Sequence, residues 1–281
     1  MRLNKKAISV IIILVSLATV VVMSGLNFII PSKTREVADQ NPEAEKARYG
    51  AGADKRGNIS ASMNKIFLTT KDGIRIAANL YSVEPARGWL VLVHMMPATK
   101  ESYQELAQRF QNLGYESIAI DLRGHGESDK GPNGFLKFSD SDHQKSILDL
   151  EAAVNYLIEN RGAVADKISF IGASIGANLS LQYISEHPEF ETAILLSLGL
   201  NYRGIKTEPL VKNLKAGQKV FFISSRDDPN AENNVEENQK LYGLVPTGAE
   251  KKIQIYDVGG HGTNILENQP ELMSLIIEFI K

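Results

Sequence analysis

The chain has 281 residues, with 31 Lys plus Arg against 33 Asp plus Glu and no cysteine. A net charge of −2 gives no general reason to expect nucleic acid as a partner. The missing cysteine excludes disulfides, thiolate catalysis, cysteine metal sites and a lipid-modified N-terminus.

The first segment reads as an appendage. Arg2, Lys5 and Lys6 precede an almost uninterrupted apolar stretch over residues 7–30. As a helix, residues 8–30 would run about 34 Å at 1.5 Å per residue, enough to cross a bilayer core. The flanking cations hold that end in the cytoplasm and place the rest of the chain outside. Residues 1–30 are therefore expected to be a signal-anchor helix of a single-pass membrane protein. The alternative is a cleaved signal peptide that leaves the domain secreted or periplasmic. Its apolar core is longer than the roughly 7–15 residues usual for a signal, and Val22-Met23-Ser24 is a poor cleavage site. Residues 31–64 are rich in Ala, Gly, Asn and charge without a sustained apolar period, and read as a flexible linker. That leaves 65–281 as the globular domain.

Within it, residues 66–70 and 74–81 predict a hairpin around Asp72-Gly73. Residues 89–94 are a buried-type strand, followed by a helix over 101–113 that Gly114 would cap. A strand over 115–120 and a loop over 121–128 come next. Ile147, Leu150, Ala153, Val154, Leu157 and Ile158 fall at three- and four-residue steps and predict a long helix over 143–159. Then follow strand 167–171, helix 178–186, strands 192–197 and 220–224, helix 231–241, strand 252–258 and a last helix 270–280. This alternation predicts an α/β fold with a mostly parallel sheet, helices on both faces, and an active site beyond the C-terminal strand ends.

Gly172-Ala173-Ser174-Ile175-Gly176 stands between a strand and a helix. A serine on so sharp a turn lifts its hydroxyl clear of the backbone, and the flanking glycines keep side chains out of the close approach. Ser174 is the expected nucleophile. The base is His261, in the loop Val258-Gly259-Gly260-His261-Gly262 after the last strand. His187 reads as a helix C-terminal residue, His143 as solvated and His125 as structural. Asp228, in Arg226-Asp227-Asp228-Pro229, is the expected acid, because a residue before proline is pushed to extended geometry; Asp227 is the alternative. The backbone N–H groups of Ile175 and Met96 are the expected oxyanion donors.

Together these residues resemble the α/β-hydrolase superfamily, in its esterase, monoacylglycerol-lipase-like and serine-aminopeptidase-like group. The resemblance runs from about Thr69 to the end. Its marks are Lys71-Asp72-Gly73, Leu92-Val93-His94, the run Asp121-Leu122-Arg123-Gly124-His125-Gly126-Glu127-Ser128, the Ser174 elbow, Asp228 and Gly260-His261-Gly262. It implies the α/β-hydrolase fold and a Ser174–Asp228–His261 triad. Two departures stand out: His94-Met95 replaces the usual His-Gly before the oxyanion loop, and residues 198–219 leave room only for a minimal cap, which implies an open site. The expected activity is cleavage of carboxylic esters of small to medium acyl groups through an acyl-enzyme at Ser174. The alternatives are aminopeptidase-like or lysophospholipase activity, or a non-catalytic hydrolase-fold binding module. Neither a metal nor an organic cofactor is expected; the partners are a small-molecule ester and, through the N-terminal helix, the membrane.

Overall fold

The computed structural model describes residues 60–281. The anchor helix expected over 1–30 and residues 31–59 of the linker expected over 31–64 lie outside the described residues. Strands β1 (Ser60–Thr69) and β2 (Arg75–Glu84) form the hairpin, turned at Gly73 with φ +81°. β1 starts ahead of the expected boundary: residues 60–64 pair with residues 80–84. The Ser62 and Asn64 side chains there hide an edge strand, whose outer positions need no apolar residue.

Strand β3 (Trp89–Val93) passes through a single 3-10 turn at Lys100–Tyr103 into helix α1 (Gln104–Asn112), then β4 (Glu116–Ile120). The helix expected over 143–159 is divided into α2 (Asp140–Gln144) and α3 (Ile147–Arg161). Ser139 and Asp142 close a capping box at the start of α2, and Gly162 at φ +66° ends α3. Then come β5 (Ile168–Ala173), α4 (Ile175–Glu186) and β6 (Thr192–Leu196). A small hairpin of β7 (Asn201–Tyr202) and β8 (Ile205–Lys206) precedes α5 (Thr207–Lys212). The chain finishes with β9 (Lys219–Ser225), α6 (Asn234–Leu244), β10 (Glu250–Tyr256), α7 (Asn264–Asn268) and α8 (Leu272–Ile280).

The main sheet runs β1-β2-β4-β3-β5-β6-β9-β10, parallel from β4 to β10, with β1 and β2 antiparallel at one edge. Alternation along each inner strand feeds two cores. Val91, Phe170, Leu195 and Phe222 pack on one face with Leu150, Val154 and Leu157 of α3 and Leu179 and Ile184 of α4. Leu90, Leu92, Ile171, Ile194 and Phe221 pack on the other with Leu106 and Phe110 of α1 and Ile276 of α8. Each such side chain taken fully out of water contributes about 1.5–3 kcal/mol, which fixes the register of every strand. From β3 the chain crosses to β4 on one side, and from β5 to β6 on the other. The loops after β3 and β5 therefore part at a topological switch point, where a crevice opens beyond the strand ends. Among the described residues no helix is long and apolar enough to cross a membrane.

Candidate active site

Ser174 stands between the last residue of β5 and the first of α4 with φ +54° and ψ −120°. A non-glycine residue is strained in that region, by about 1–3 kcal/mol, and must be held there by its surroundings. The holding contacts are backbone bonds: Ser174 N–H donates to the Leu196 carbonyl of β6 at 2.8 Å, and the Ser174 carbonyl accepts from Ala177 and Asn178. The glycines at 172 and 176 are required by space. A Cβ on Gly172 would stand 2.2 Å from the Gly176 carbonyl oxygen, and one on Gly176 would stand 2.2 Å from the Val93 carbonyl oxygen.

The loops after β9 and β10 bring the other two residues together. His261 Nδ1 lies 2.7 Å from Asp228 Oδ2, and both side chains are buried. Asp228 Oδ1 accepts from Asn230 N–H at 2.9 Å, which fixes the carboxylate's rotation. Asp227 turns instead to the backbone of the histidine loop, accepting from Gly259 N–H at 2.8 Å and Gly260 N–H at 2.9 Å, and from the Ser225 hydroxyl. These bonds, the Ser225 hydroxyl first, hold its carboxyl below the usual range. Adjacent carboxylates thus grip one loop at two points, the ring and the main chain. Ser197, at φ +50° and fully buried, adds a third: its hydroxyl accepts from Gly262 N–H at 2.9 Å.

On the opposite side of Ser174, the loop after β3 is fixed by His94. This residue is fully buried, its Nδ1 donates to the Met95 carbonyl at 2.8 Å, and its Nε2 accepts from Leu122 N–H at 3.0 Å. That pattern requires the neutral ring, and burial pushes its pKa down. The carbonyl of Met95 and the N–H of Met96 belong to one trans peptide and point in opposite directions. Holding the first therefore aims the second. Neither Met96 N–H nor Ile175 N–H, at the start of α4, has a backbone acceptor among the described loop bonds. The Met95 side chain packs toward Gly262, where a Cβ would come within 2.5 Å of its sulfur, so the loop after β3 leans directly on the histidine loop.

The run 121–128 supports this arrangement without touching the serine. Asp121 accepts from Lys100 Nζ at 2.7 Å, Lys100 N–H at 2.8 Å and Glu127 N–H at 2.9 Å. Arg123 bridges buried Asp149 at 2.8 Å and Asp72 at 2.7 Å. His125 lies edge-on to His94 with ring centroids 4.9 Å apart and stacks on Phe135 at 4.1 Å. Its structural reading fits this packing. His187 is the C-terminal residue of α4 as expected. His143 departs from expectation: it is 2% exposed against the edge of Phe138, because the break between α2 and α3 turns it inward.

The insertion over 198–219 is short, as expected, holding only the β7–β8 hairpin and α5. It does not leave the serine open. Ser174 is 7% exposed, and Tyr202 on the hairpin lies beside Ser174 and His261, with its ring centroid 6.5 Å from that of His261. Tyr202, Ser197 and Asp227 are the residues of the site that motif reading passes over or gives a different role. Arg203-Gly204, both at positive φ, was the signal for the hairpin that carries Tyr202. Among the described residues, no group of three or more His, Asp or Glu is placed to hold a metal ion.

The family model for serine aminopeptidase, S33, matches residues 84–226, just over half of the chain. The chain belongs to this family. It is thereby a member of the α/β-hydrolase superfamily. The S33 match takes in β3, the Ser174 elbow and β9, and stops short of Asp228 and His261. A curated relative is the polyketide transferase of Stachybotrys chlorohalonatus, 31% identical over 113 residues that make up 40% of this chain and 36% of that protein. The match thus spans about a third of that relative's length. Among solved structures, the Pyrococcus furiosus esterase Pf2001 is similar with a TM-score of 0.64 at 22% identity, over 78% of this chain and 92% of its own. The esterase RhEst1 from Rhodococcus sp. ECU1013 is similar with a TM-score of 0.61 at 16% identity, over 78% and 98%. At these identities the solved structures speak for the S33 chain's fold.

Proposed function

We propose that this hydrolase cleaves carboxylic esters of small to medium acyl groups by serine catalysis. The observation that carries the reading is the Asp228–His261 bond beyond β9 and β10, placed with a strained Ser174 after β5. Asp228 fixes the imidazole with its proton on Nδ1, so Nε2 is the nitrogen free to take a proton from Ser174. The hydroxyl oxygen attacks the acyl carbon, and the carbonyl oxygen becomes an oxyanion that accepts from Ile175 and Met96 N–H. Each such donor contributes about 3–4 kcal/mol to the barrier difference. His261 returns its proton to the departing alcohol, the acyl-enzyme remains, and water activated by His261 releases the acid. Tyr202 over the serine and the short insertion favour small acyl groups over long chains.

The experiment is hydrolysis of a p-nitrophenyl ester series, acetate to palmitate, by the full chain and its Ser174→Ala variant. Serine-dependent turnover that peaks at short chains supports the reading. A peak at palmitate refutes the size preference, and turnover that survives Ser174→Ala refutes the mechanism. We also propose, on the sequence of residues 7–30, that an N-terminal helix anchors the protein in the cell membrane with its hydrolase domain outside the cytoplasm. Protease treatment of intact spheroplasts, expected to remove the domain, tests this.

A further inference from the structure

Tyr202 belongs to no motif, yet it reaches Ser174 and His261 from the insertion. The β7–β8 hairpin, turned by Arg203 and Gly204, delivers it from the β6 side. Its ring packs on Gly199, where a Cβ would come within 2.6 Å of ring carbons, and stands at 76° to the His261 ring. The hydroxyl is buried and has no hydrogen-bond partner of good geometry in the protein. Burial pushes the phenol pKa up, the charges of Asp228 and Glu237 push it further, and the neighbouring Ser174 side chain pulls the other way. The phenol therefore keeps its proton at neutral pH. This buried O–H makes no bond of good geometry even though the Ser174 side chain lies beside it, and a group in that condition calls for an explanation.

The order of the sheet fixes which substrate atom it meets. Met96 comes from the loop after β3, on one flank of β5; Tyr202 comes from beyond β6, on the other. An oxyanion held by Ile175 and Met96 points away from Tyr202. The atom at the corner between Ser174, His261 and Tyr202 is then the alcohol oxygen, which His261 must protonate. Beside the ring opens a cavity of about 300 Å³ whose lining includes Tyr202, Asn201, Asn234, Glu232 and Glu237 and contains no cationic residue. Asn234 is 1% exposed, and its Oδ1 has no partner. Two carboxylates, Glu232 and Glu237, and four asparagine amides supply the polar groups of this wall.

We propose that Tyr202 is a substrate-contacting residue that donates a hydrogen bond to the ester's alcohol oxygen, and that the adjoining cavity receives the alcohol portion, selecting alcohols with hydroxyl donors over plain alkyl ones. The proposal rests on the ester-hydrolase reading. As the tetrahedral intermediate collapses, the carbon–oxygen bond to the alcohol breaks and its electron pair goes to that oxygen. His261 passes the proton it took from Ser174 to the same oxygen. Tyr202 keeps its own proton and stabilises the charge in transit.

The test compares the full chain with Tyr202→Phe on p-nitrophenyl acetate, propyl acetate and glycerol monoacetate. p-Nitrophenolate departs without a donor, whereas an alkoxide does not. The expected result is that the ratio of kcat/KM on propyl acetate to that on p-nitrophenyl acetate falls about tenfold or more in Tyr202→Phe. A ratio measured on one preparation is independent of the fraction folded. The unaltered chain is expected to prefer glycerol monoacetate to propyl acetate by about fivefold or more. An unchanged ratio overturns the role of Tyr202, and the absence of a glycerol preference overturns that of the cavity. If the unaltered chain shows no Ser174-dependent turnover even of p-nitrophenyl acetate, the ester reading itself falls and takes this proposal with it.

Discussion

The imidazole of His94 holds the carbonyl of Met95 at 2.8 Å and so sets the direction of the Met96 N–H. The family's usual glycine at this position would give the loop backbone freedom; methionine restricts it, and the ring bond determines the orientation that is kept. On the proposed mechanism His94 is a positioning residue, anchored in turn by Leu122 N–H. His94→Phe keeps the ring volume and removes both bonds. Its kcat on p-nitrophenyl acetate is expected to fall about 100-fold with little change in KM, the pattern of a lost transition-state donor. A KM effect alone would refute this role.

Asp227 and Asp228 grip the same loop by different means, and their variants should separate. Asp228→Ala is expected to lower kcat by about a thousandfold or more, because the imidazole loses its fixed tautomer. Asp227→Ala leaves the His261 ring bond in place and is expected to stay within about tenfold of the parent rate. Steady-state kinetics of both variants on one substrate decide which carboxylate serves the base.

Ser174→Ala is expected to abolish turnover and leave the melting temperature nearly unchanged, since alanine inherits the same φ of +54°. Gly176→Ala should do the opposite damage. Its Cβ would stand 2.2 Å from the Val93 carbonyl oxygen and 2.7 Å from that of His94, both main-chain atoms that cannot rotate away. A loss of about 3 kcal/mol in urea unfolding is expected. Unchanged stability of Gly176→Ala would show that β3 yields where the packing says it should not.

Burial, the largest influence, and the neighbouring His94 ring lower the His125 pKa from 6.5 to about 4. Between those values the unfolded chain binds the proton and the folded chain does not, so this group makes the protein less stable as pH falls from 6.5 toward 4. Asp149 works against it: burial raises its pKa from 3.8 to about 6 despite Arg123, so its folded form takes up the proton first and stability falls as pH rises across that window. The two slopes nearly cancel in the parent. His125→Phe, which keeps the stack on Phe135, should unmask the pair. Relative to the parent it is expected to gain on the order of 3 kcal/mol between pH 6.5 and pH 4 in urea unfolding. A pH-independent difference would mean that the His125 ring titrates as in water.

The parallel sheet and the elbow were legible because both leave local marks: apolar runs at strand length, and glycines two residues either side of a serine. The pairing of His261 with Asp228 was legible because each follows a strand, β10 and β9. The dual use of Asp227 and Asp228 was not, because neighbouring carboxylates look alike until the loop they face is placed. His143 looked solvated because its neighbours in sequence are polar, and only the break between α2 and α3 turns it inward. Ser197 and Tyr202 act through contacts across 65 and 59 residues of chain respectively, to Gly262 and His261, and no local pattern carries such distances.

The order of strands across the sheet has a consequence for how the protein is made. Apart from the exchange of β3 and β4, position in the sheet follows position in the chain. During synthesis each strand from β5 onward leaves the ribosome to meet a neighbour already laid down, and the growing edge is capped by the next arrival. Ser174 is seated early in this sequence, and Asp228 and His261 emerge only after the last two strands. A nascent chain therefore carries Ser174 for much of its translation without Asp228 and His261 to complete the site.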